Sequence, residues 1–159
     1  WAGGQALARY VLDHPEVVRG KRVIDLASGS GLVGIAAMKA GAAHVCAADI
    51  DGFAVAAMRL NAEGNDVRLA AMADNLLDDA APACDVILVG DLFYEQGLAQ
   101  KVFAWLSAAK AKGAHVLIGD PGRSYLPKEK LSALAQYSVP VTRDLEDAEI
   151  KKTAVWLIA

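Results

Sequence analysis

Cysteine is nearly absent: Cys46 and Cys84 are the whole complement of the 159 residues. Two thiols so far apart in sequence cannot make a disulfide framework or a cysteine zinc site. Each lies in an apolar stretch, so buried, reduced thiols and a reducing compartment are expected. The three histidines, His14, His44 and His115, are scattered without metal-ligand spacing. No uninterrupted apolar run approaches the roughly 18 residues of a membrane span. Nor is there a basic excess. Lys and Arg number 16 against 19 Asp and Glu, for a net charge of −3. That balance argues against a nucleic-acid binder that relies on a basic surface. Repeats, low-complexity tracts and inter-domain linkers are also missing. The chain opens on Trp1 rather than Met, and further residues, with any targeting signal, are expected ahead of it.

What is present is a core. Hydrophobic residues make up 55% and charged residues 22%, and the length suits one domain over residues 1–159. Short β-like runs alternate with helical ones, the pattern of an α/β sheet. Strands are predicted at 22–26, 44–50, 67–72, 85–90 and 115–119. Helices are predicted at 6–12, 32–40, 53–62, 96–111 and 127–135. Two further strand-like runs, 137–141 and 153–158, are joined only by a charged loop from Arg143 to Lys152. That is short for a parallel crossover, so the last pair is read as antiparallel. The sum is about seven strands, five of them joined by helices.

The main motif is Val23-Ile24-Asp25-Leu26-Ala27-Ser28-Gly29-Ser30-Gly31, followed by a helix containing Gly34. Strand, glycine turn and helix follow in order, and glycines let a backbone turn sharply and approach a ligand. A tight turn without a ligand is the plainer alternative for the loop alone. Asp49, however, closes the second strand roughly 20 residues beyond it, where nucleotide sites place an acid on ribose hydroxyls. Asp74 follows the third strand, where an acid can accept from an adenine amino group. Three acids after three strands converge on the carboxyl edge of the sheet. Asp25 then separates two kinds of nucleotide. An acid just before the loop would repel a pyrophosphate, which disfavours a nicotinamide dinucleotide. S-adenosylmethionine has no phosphate and carries an ammonium and a sulfonium, which an acid suits.

From Asp25 to Gly31, with Asp49 and Asp74, the chain resembles the class I, seven-strand methyltransferases. The resemblance implies a Rossmann-like sheet, mostly parallel with an antiparallel last strand and helices on both faces. One position departs from the family: Ala27 stands where a glycine is usual. The resemblance implies S-adenosylmethionine as methyl donor, leaving S-adenosylhomocysteine. It would be held by Asp25, Ala27, Gly29, Gly31, Asp49, Ile50, Asp74, Asn75 and Gly90. Trp1 either packs against the cofactor or covers the sheet edge.

A second signature follows the fourth strand. Asp91 and Tyr94 in Asp91-Leu92-Phe93-Tyr94-Glu95 make the acid-x-x-aromatic pattern of a protein-lysine methyltransferase subgroup. A lysine head calls for acceptors and an aromatic wall. The plainer alternative is that Asp91 caps the next helix and Tyr94 packs in its first turn. Together with Trp1-Ala2-Gly3-Gly4-Gln5-Ala6-Leu7-Ala8 and Asp120-Pro121-Gly122-Arg123-Ser124-Tyr125-Leu126-Pro127, this segment is similar to the electron transfer flavoprotein β-subunit lysine methyltransferases. That resemblance implies catalytic roles for Asp91 and Tyr94, and substrate contacts for Phe93, Glu95, Arg123 and Tyr125. Arg123 would meet an acidic feature of the partner, or pair with a local acid such as Glu129. The partner implied is the flavoprotein β-subunit, with no nucleic acid or membrane and a monomer favoured. The compartment implied is bacterial cytoplasm, or mitochondrial matrix in a eukaryote. The alternatives are methylation of another protein such as ribosomal protein L11, and a non-catalytic nucleotide-binding module.

Overall fold

β-Branched and small residues set the centre of the sheet. Strand β1 (Arg22–Leu26) buries four of its five residues, and β4 (Val86–Gly90) is buried from Val86 to Val89. Runs apolar on both faces belong to a parallel sheet covered on both sides. The computed structural model describes residues 1–142 and 149–159. Around these two strands it adds β2 (His44–Asp49), β3 (Ala70–Ala73), β5 (His115–Asp120), β6 (Leu131–Pro140) and β7 (Ile150–Ile158). The seven-stranded sheet has the order β3-β2-β1-β4-β5-β7-β6, in which β7 runs antiparallel to both β5 and β6. The other pairings are parallel. This is the expected doubly covered sheet with its antiparallel end.

Helices α1 (Ala2–Asp13) and α2 (Leu32–Lys39) pack on one face, over Val23, Val45, Leu88, Leu117 and Val155. Helix α3 (Gly52–Gly64) buries Val55 and Met58 with Ala47. Helix α4 (Gln96–Ala111) covers the opposite face. Its Ala99, Val102, Trp105, Leu106 and Ala109 recur at helical spacing and meet Ile24, Ile87, Val89 and Ile118. No helix among the described residues is long and apolar enough to cross a membrane.

Several expectations are corrected. The helix read at 127–135 is only a short 3-10 turn, Lys128–Lys130, after which the chain enters β6. Leu131, Ala133 and Ala135 favour a helix locally, but pairing with β7 along Leu131↔Ile158 to Pro140↔Ile150 overrides that preference. The third strand starts at Ala70, not Val67. Between β3 and β4 runs only the short 3-10 turn Leu76–Asp78 rather than a crossover helix. Of the charged loop Arg143–Lys152, residues 143–148 lie outside the described residues, and Ile150–Lys152 already belong to β7. Cys46 and Cys84 are free and half-buried rather than buried, with burial raising both thiols above their ordinary range.

Candidate functional site

The carboxyl ends of β1, β2, β4 and β5 meet the glycine loop and the start of α1. Asp25, at 1% exposure, is the organiser of the loop. Its Oδ2 accepts from the Ser28 hydroxyl and from the Gly34 N–H at 2.7 Å. A Cβ at Gly34 would stand 3.0 Å from that oxygen, so the third glycine of the motif is there to let α2 close on Asp25. Burial pushes the Asp25 carboxyl up to about 6, aided by the charge of Asp49 and opposed by the bonds from Ser28 and Gly34. Ala27, Gly29 and Gly31 all have positive φ, at 51°, 57° and 86°. Two are glycines, for which this costs little; Ala27 holds the same turn with a methyl group.

Asp49 accepts the Gly29 N–H at 2.9 Å through Oδ2 and the Asp51 N–H at 3.0 Å through Oδ1. A carboxylate has about four lone-pair sites, so each oxygen keeps one for a further donor. The Asp74 N–H bonds the Asp49 carbonyl at 3.1 Å, which brings the third acid beside the second. Asn75 turns its side chain to its own 3-10 turn, accepting from the Leu77 N–H and donating to Asp78. Ile50 is 77% exposed beside Asp49, and Phe53, not singled out by the sequence, is 86% exposed on the first turn of α3. Beyond its two chain neighbours, no heavy atom of the described residues lies within 4 Å of the place a Gly29 Cβ would take. The loop thus offers open space above its backbone, flanked by carboxylate acceptors and two apolar side chains. These residues fit an adenosine bearing a cationic amino-acid tail.

The second half of the site depends on glycines of different purpose. Gly3 on α1 and Gly119 on β5 touch backbone to backbone: a Cβ on either would lie 2.2 Å from the other's carbonyl oxygen. Gly90 closes the same contact, since its Cβ would be 3.0 Å from Gly4. This approach presses the N-terminus of α1 onto Asp91. The Asp91 Oδ2 accepts the Gly4 N–H at 3.1 Å, a first-turn donor without an intrahelical partner. Asp91 therefore sits at the start of α1 and does not cap the next helix; Glu95 caps α4, accepting from the Gly97 N–H. Asp91 is 7% exposed and holds φ at 56°. A strained backbone at a buried polar residue is a frequent mark of a working site.

Arg123 pairs with Asp91, not with Glu129, the local acid that stood as the alternative. Its Nη2 donates to Asp91 Oδ1 at 2.8 Å, with Nε at 3.3 Å, and its guanidinium lies 5.4 Å from the Trp1 ring centre. The loop that carries it is pinned by Asp120, whose Oδ1 accepts the Gly122 and Arg123 N–H groups at 2.7 Å each. Asp120 is fully buried, and its Oδ2 has no hydrogen-bond partner among the described residues. Burial pushes its carboxyl up to about 6, with the charge of Asp91 adding and the two N–H groups opposing. Trp1, Asp91, Tyr94 and Arg123 line a cavity of about 370 Å³. Tyr94 is exposed at its mouth, and Tyr125 is exposed nearby, its N–H bonded to the Phe93 carbonyl.

One expected substrate residue is corrected. Phe93 is fully buried in the core under α4 and faces away from the cavity. The phenyl group anchors the turn that presents Asp91 and Tyr94. The contributions of Gly3, Gly119 and Asp120 to the site had no signal in the sequence beyond their short motifs, because each acts through a contact distant along the chain.

Comparison with known proteins finds methyltransferases. The family profile for ribosomal protein L11 methyltransferase (PrmA) matches residues 5–92. The electron transfer flavoprotein β-subunit lysine methyltransferase of Rattus norvegicus is 40% identical over 98% of this chain and 64% of its own length. The Caenorhabditis elegans homolog of that enzyme is 33% identical over 88% of this chain and 68% of its own. The chain thus spans less than two thirds of the rat relative. Among solved structures, the ribosomal protein L11 methylase of Lactobacillus delbrueckii subsp. bulgaricus superposes with a TM-score of 0.67. It is 22% identical, covering 98% of this chain and 79% of that one, and shares the fold.

Proposed function

The chain belongs to the methyltransferase family of the ribosomal protein L11 and electron transfer flavoprotein β-subunit enzymes, and we propose that it methylates lysine side chains of a flavoprotein β-subunit from S-adenosylmethionine. The observation that carries this reading is the cavity of Trp1, Asp91, Tyr94 and Arg123. It adjoins Gly90 at the edge of the sheet and joins a buried carboxylate to an aromatic wall. A cavity of that volume and lining has room for one alkyl chain with an amine at its end.

When bound, S-adenosylmethionine supplies a methyl group activated by its sulfonium. Gly29 and Gly31 would cradle its amino-acid end, Asp49 its ribose and Asp74 its adenine, with Asp25 shaping the loop beneath. The lysine nitrogen attacks with its lone pair. A carbon–nitrogen bond forms, the carbon–sulfur bond breaks toward sulfur, and the product ammonium gives a proton to water. The chain's own task is alignment and water exclusion. The amine must arrive neutral, and at pH 7 a free lysine pays about 4.6 kcal/mol for that, from a pKa near 10.4 at about 1.36 per unit.

Incubating the protein with flavoprotein β-subunit and S-adenosylmethionine, followed by peptide mass spectrometry, should show mass added in steps of one methyl group on lysine. Asp91→Asn keeps the shape and an acceptor for Gly4. It should leave S-adenosylmethionine affinity within a few-fold while lowering single-turnover transfer by at least about tenfold, a barrier rise of about 1.4 kcal/mol. Methylation of ribosomal protein L11 and not of the flavoprotein subunit would move the substrate assignment to the other branch of the family. Residues 1–159 are proposed to act as one domain, in the cytoplasm of a bacterium or the matrix of a mitochondrion, as a monomer.

A further inference from the structure

The cavity beside Asp91 has room for one side chain, and the neighbours of a target lysine must rest somewhere else on the surface. Two loops build the cavity: one carries Tyr94 after β4, the other Arg123 after β5. The Tyr125 N–H bonds the Phe93 carbonyl at 3.2 Å, and the buried Phe93 and Leu126 anchor both loops in the core under α4. Two residues further along each loop, Gln96 and Tyr125 line a groove of about 320 Å³. Two residues of chain span at most about 7 Å, so cavity and groove are neighbours. Phe103 and Ala104 of α4 form the apolar wall of the groove with Pro127. The Lys130 amine lies 5.3 Å from the centre of the Phe103 ring.

Charge and exposure fit this surface to one kind of partner. Helix α4 contains no acidic residue. With its N-cap and the turn Lys128–Lys130, it brings Lys101, Lys110, Lys128 and Lys130 against Glu95 and Glu129, in a chain whose net charge is −3. Glu95 accepts the Gly97 N–H, Lys101 is bonded to Asp78, and Lys110 donates to the carbonyls of Ile158 and Ala159. Lys128, beside Gly122, and Lys130 form no ion pair with the described residues. Of the four exposed large aromatic side chains among the described residues, Trp1, Tyr94 and Tyr125 stand at the cavity and the groove. Exposed apolar groups rimmed by charge mark a protein-interaction surface. Resting on the lysine reading, we propose that the groove is the specificity subsite for the substrate segment that carries the target lysine, and that it takes an apolar side chain with an acidic neighbour. An extended segment advances about 3.3 Å per residue, which puts that side chain about two to four positions from the lysine. The apolar group covers Phe103 and Ala104, and the acid meets Lys130 at the rim. The core holds both walls, so little ordering is lost on docking.

The test compares peptides of equal length with a single central lysine in a glycine-serine background. Two carry Leu-Glu at the spacing just given, one before the lysine and one after it; a plain peptide carries Ser-Gln at both places. Transfer from S-adenosylmethionine should show a KM at least about tenfold lower for one Leu-Glu peptide than for the plain one, the scale of burying one leucine, with kcat nearly unchanged. Ala104→Trp fills the groove and Lys130→Glu reverses its rim; both positions are exposed. Each variant should cancel most of that gain and leave the plain peptide at its parental kcat and KM. Lys130→Glu should instead favour Leu-Arg over Leu-Glu, a reversal that a damaged fold would not produce. Equal KM for all peptides in the parent overturns the proposal, as does a gain that survives both variants. If Ala104→Trp alters the oligomeric state on size-exclusion chromatography and leaves peptide KM alone, the groove is a contact between copies of this chain and the proposal falls. NMR of the Ala104 and Lys130 amides, with norleucine in place of the peptide lysine, reads docking without turnover. Docking there with no lysine methylated in any peptide overturns the lysine reading, and the role of the groove with it. Lysine methylation without a response of those amides overturns the proposal alone.

Discussion

At the scale of single residues, backbone conformation distinguishes positions that composition treats alike. Ala27 has φ at 51° in a turn whose other positive-φ members, Gly29 and Gly31, are glycines. An L-residue there gives up roughly 1–2 kcal/mol relative to an ordinary conformation. Ala27→Gly should therefore raise unfolding free energy by up to about 1 kcal/mol, the gain trimmed by the extra entropy of an unfolded glycine. Urea unfolding of parent and variant, with an unchanged slope, measures it. A loss of stability would mean that the methyl group of Ala27 packs usefully and outweighs its strain. The sequence showed Ala27 as the irregular position but not the φ angle that makes it costly. Asp25, Asp49 and Asp91 were legible as acids at strand ends. What was not legible is that their oxygens are already engaged by Ser28, Gly34, Gly29, Asp51, Gly4 and Arg123. Such partners depend on loop closure, which no periodicity records.

Among elements, β1, α4 and the strand-turn-helix order were readable because their apolar spacing agrees with their burial. The segment 127–135 was not, since its residues favour a helix and only the partner β7, distant in sequence, makes it a strand. The start of α1 was missed for a related reason. Gly3 and Gly4 are poor helix formers, and they lie in the helix because Gly90 and Gly119 admit it against the sheet. Gly119→Ala tests this contact. The new Cβ would fall 2.2 Å from the Gly3 carbonyl oxygen and 2.8 Å from Leu7 Cβ, so α1 must shift. Overpacking of this kind costs about 1–3 kcal/mol. The midpoint of thermal unfolding should drop by several degrees, and the hydrogen exchange of the Gly4 amide should accelerate as its bond to Asp91 loosens. A variant with parental stability and exchange would show that α1 has slack here, and the docking of Asp91 would need another cause.

For the whole molecule, two buried carboxyls set the dependence of stability on pH. Asp25 and Asp120 are each pushed up to about 6, in both cases chiefly by burial. An unfolded aspartate titrates near 3.9, so between about pH 4 and 6 the folded protein binds these protons more tightly. Their contribution to stability is full below about pH 4 and is lost as pH rises through about 6. The surface pairs work in the opposite sense. Arg9 bonded to Asp13, Lys101 to Asp78 and Arg22 to Asp85 hold those exposed carboxyls below their ordinary range, so their support is lost on acidification. Asp120 is the carboxyl with which to separate the two. Asp120→Asn keeps an oxygen for the Gly122 and Arg123 N–H groups and removes the charge. Above pH 7 the parent holds Asp120 as a buried anion beside Asp91, and the amide avoids that burden. The variant should therefore unfold at a higher temperature than the parent at pH 8. The advantage should shrink as pH falls through 6 and vanish near pH 4.5, where the parent is itself neutral at this position. Thermal unfolding followed by circular dichroism across that range reads the difference directly. An advantage constant with pH would assign it to packing or hydrogen bonding of the amide. A disadvantage at pH 8 would show that Asp120 is needed as an anion, a counter-charge for Arg123 from beneath its loop.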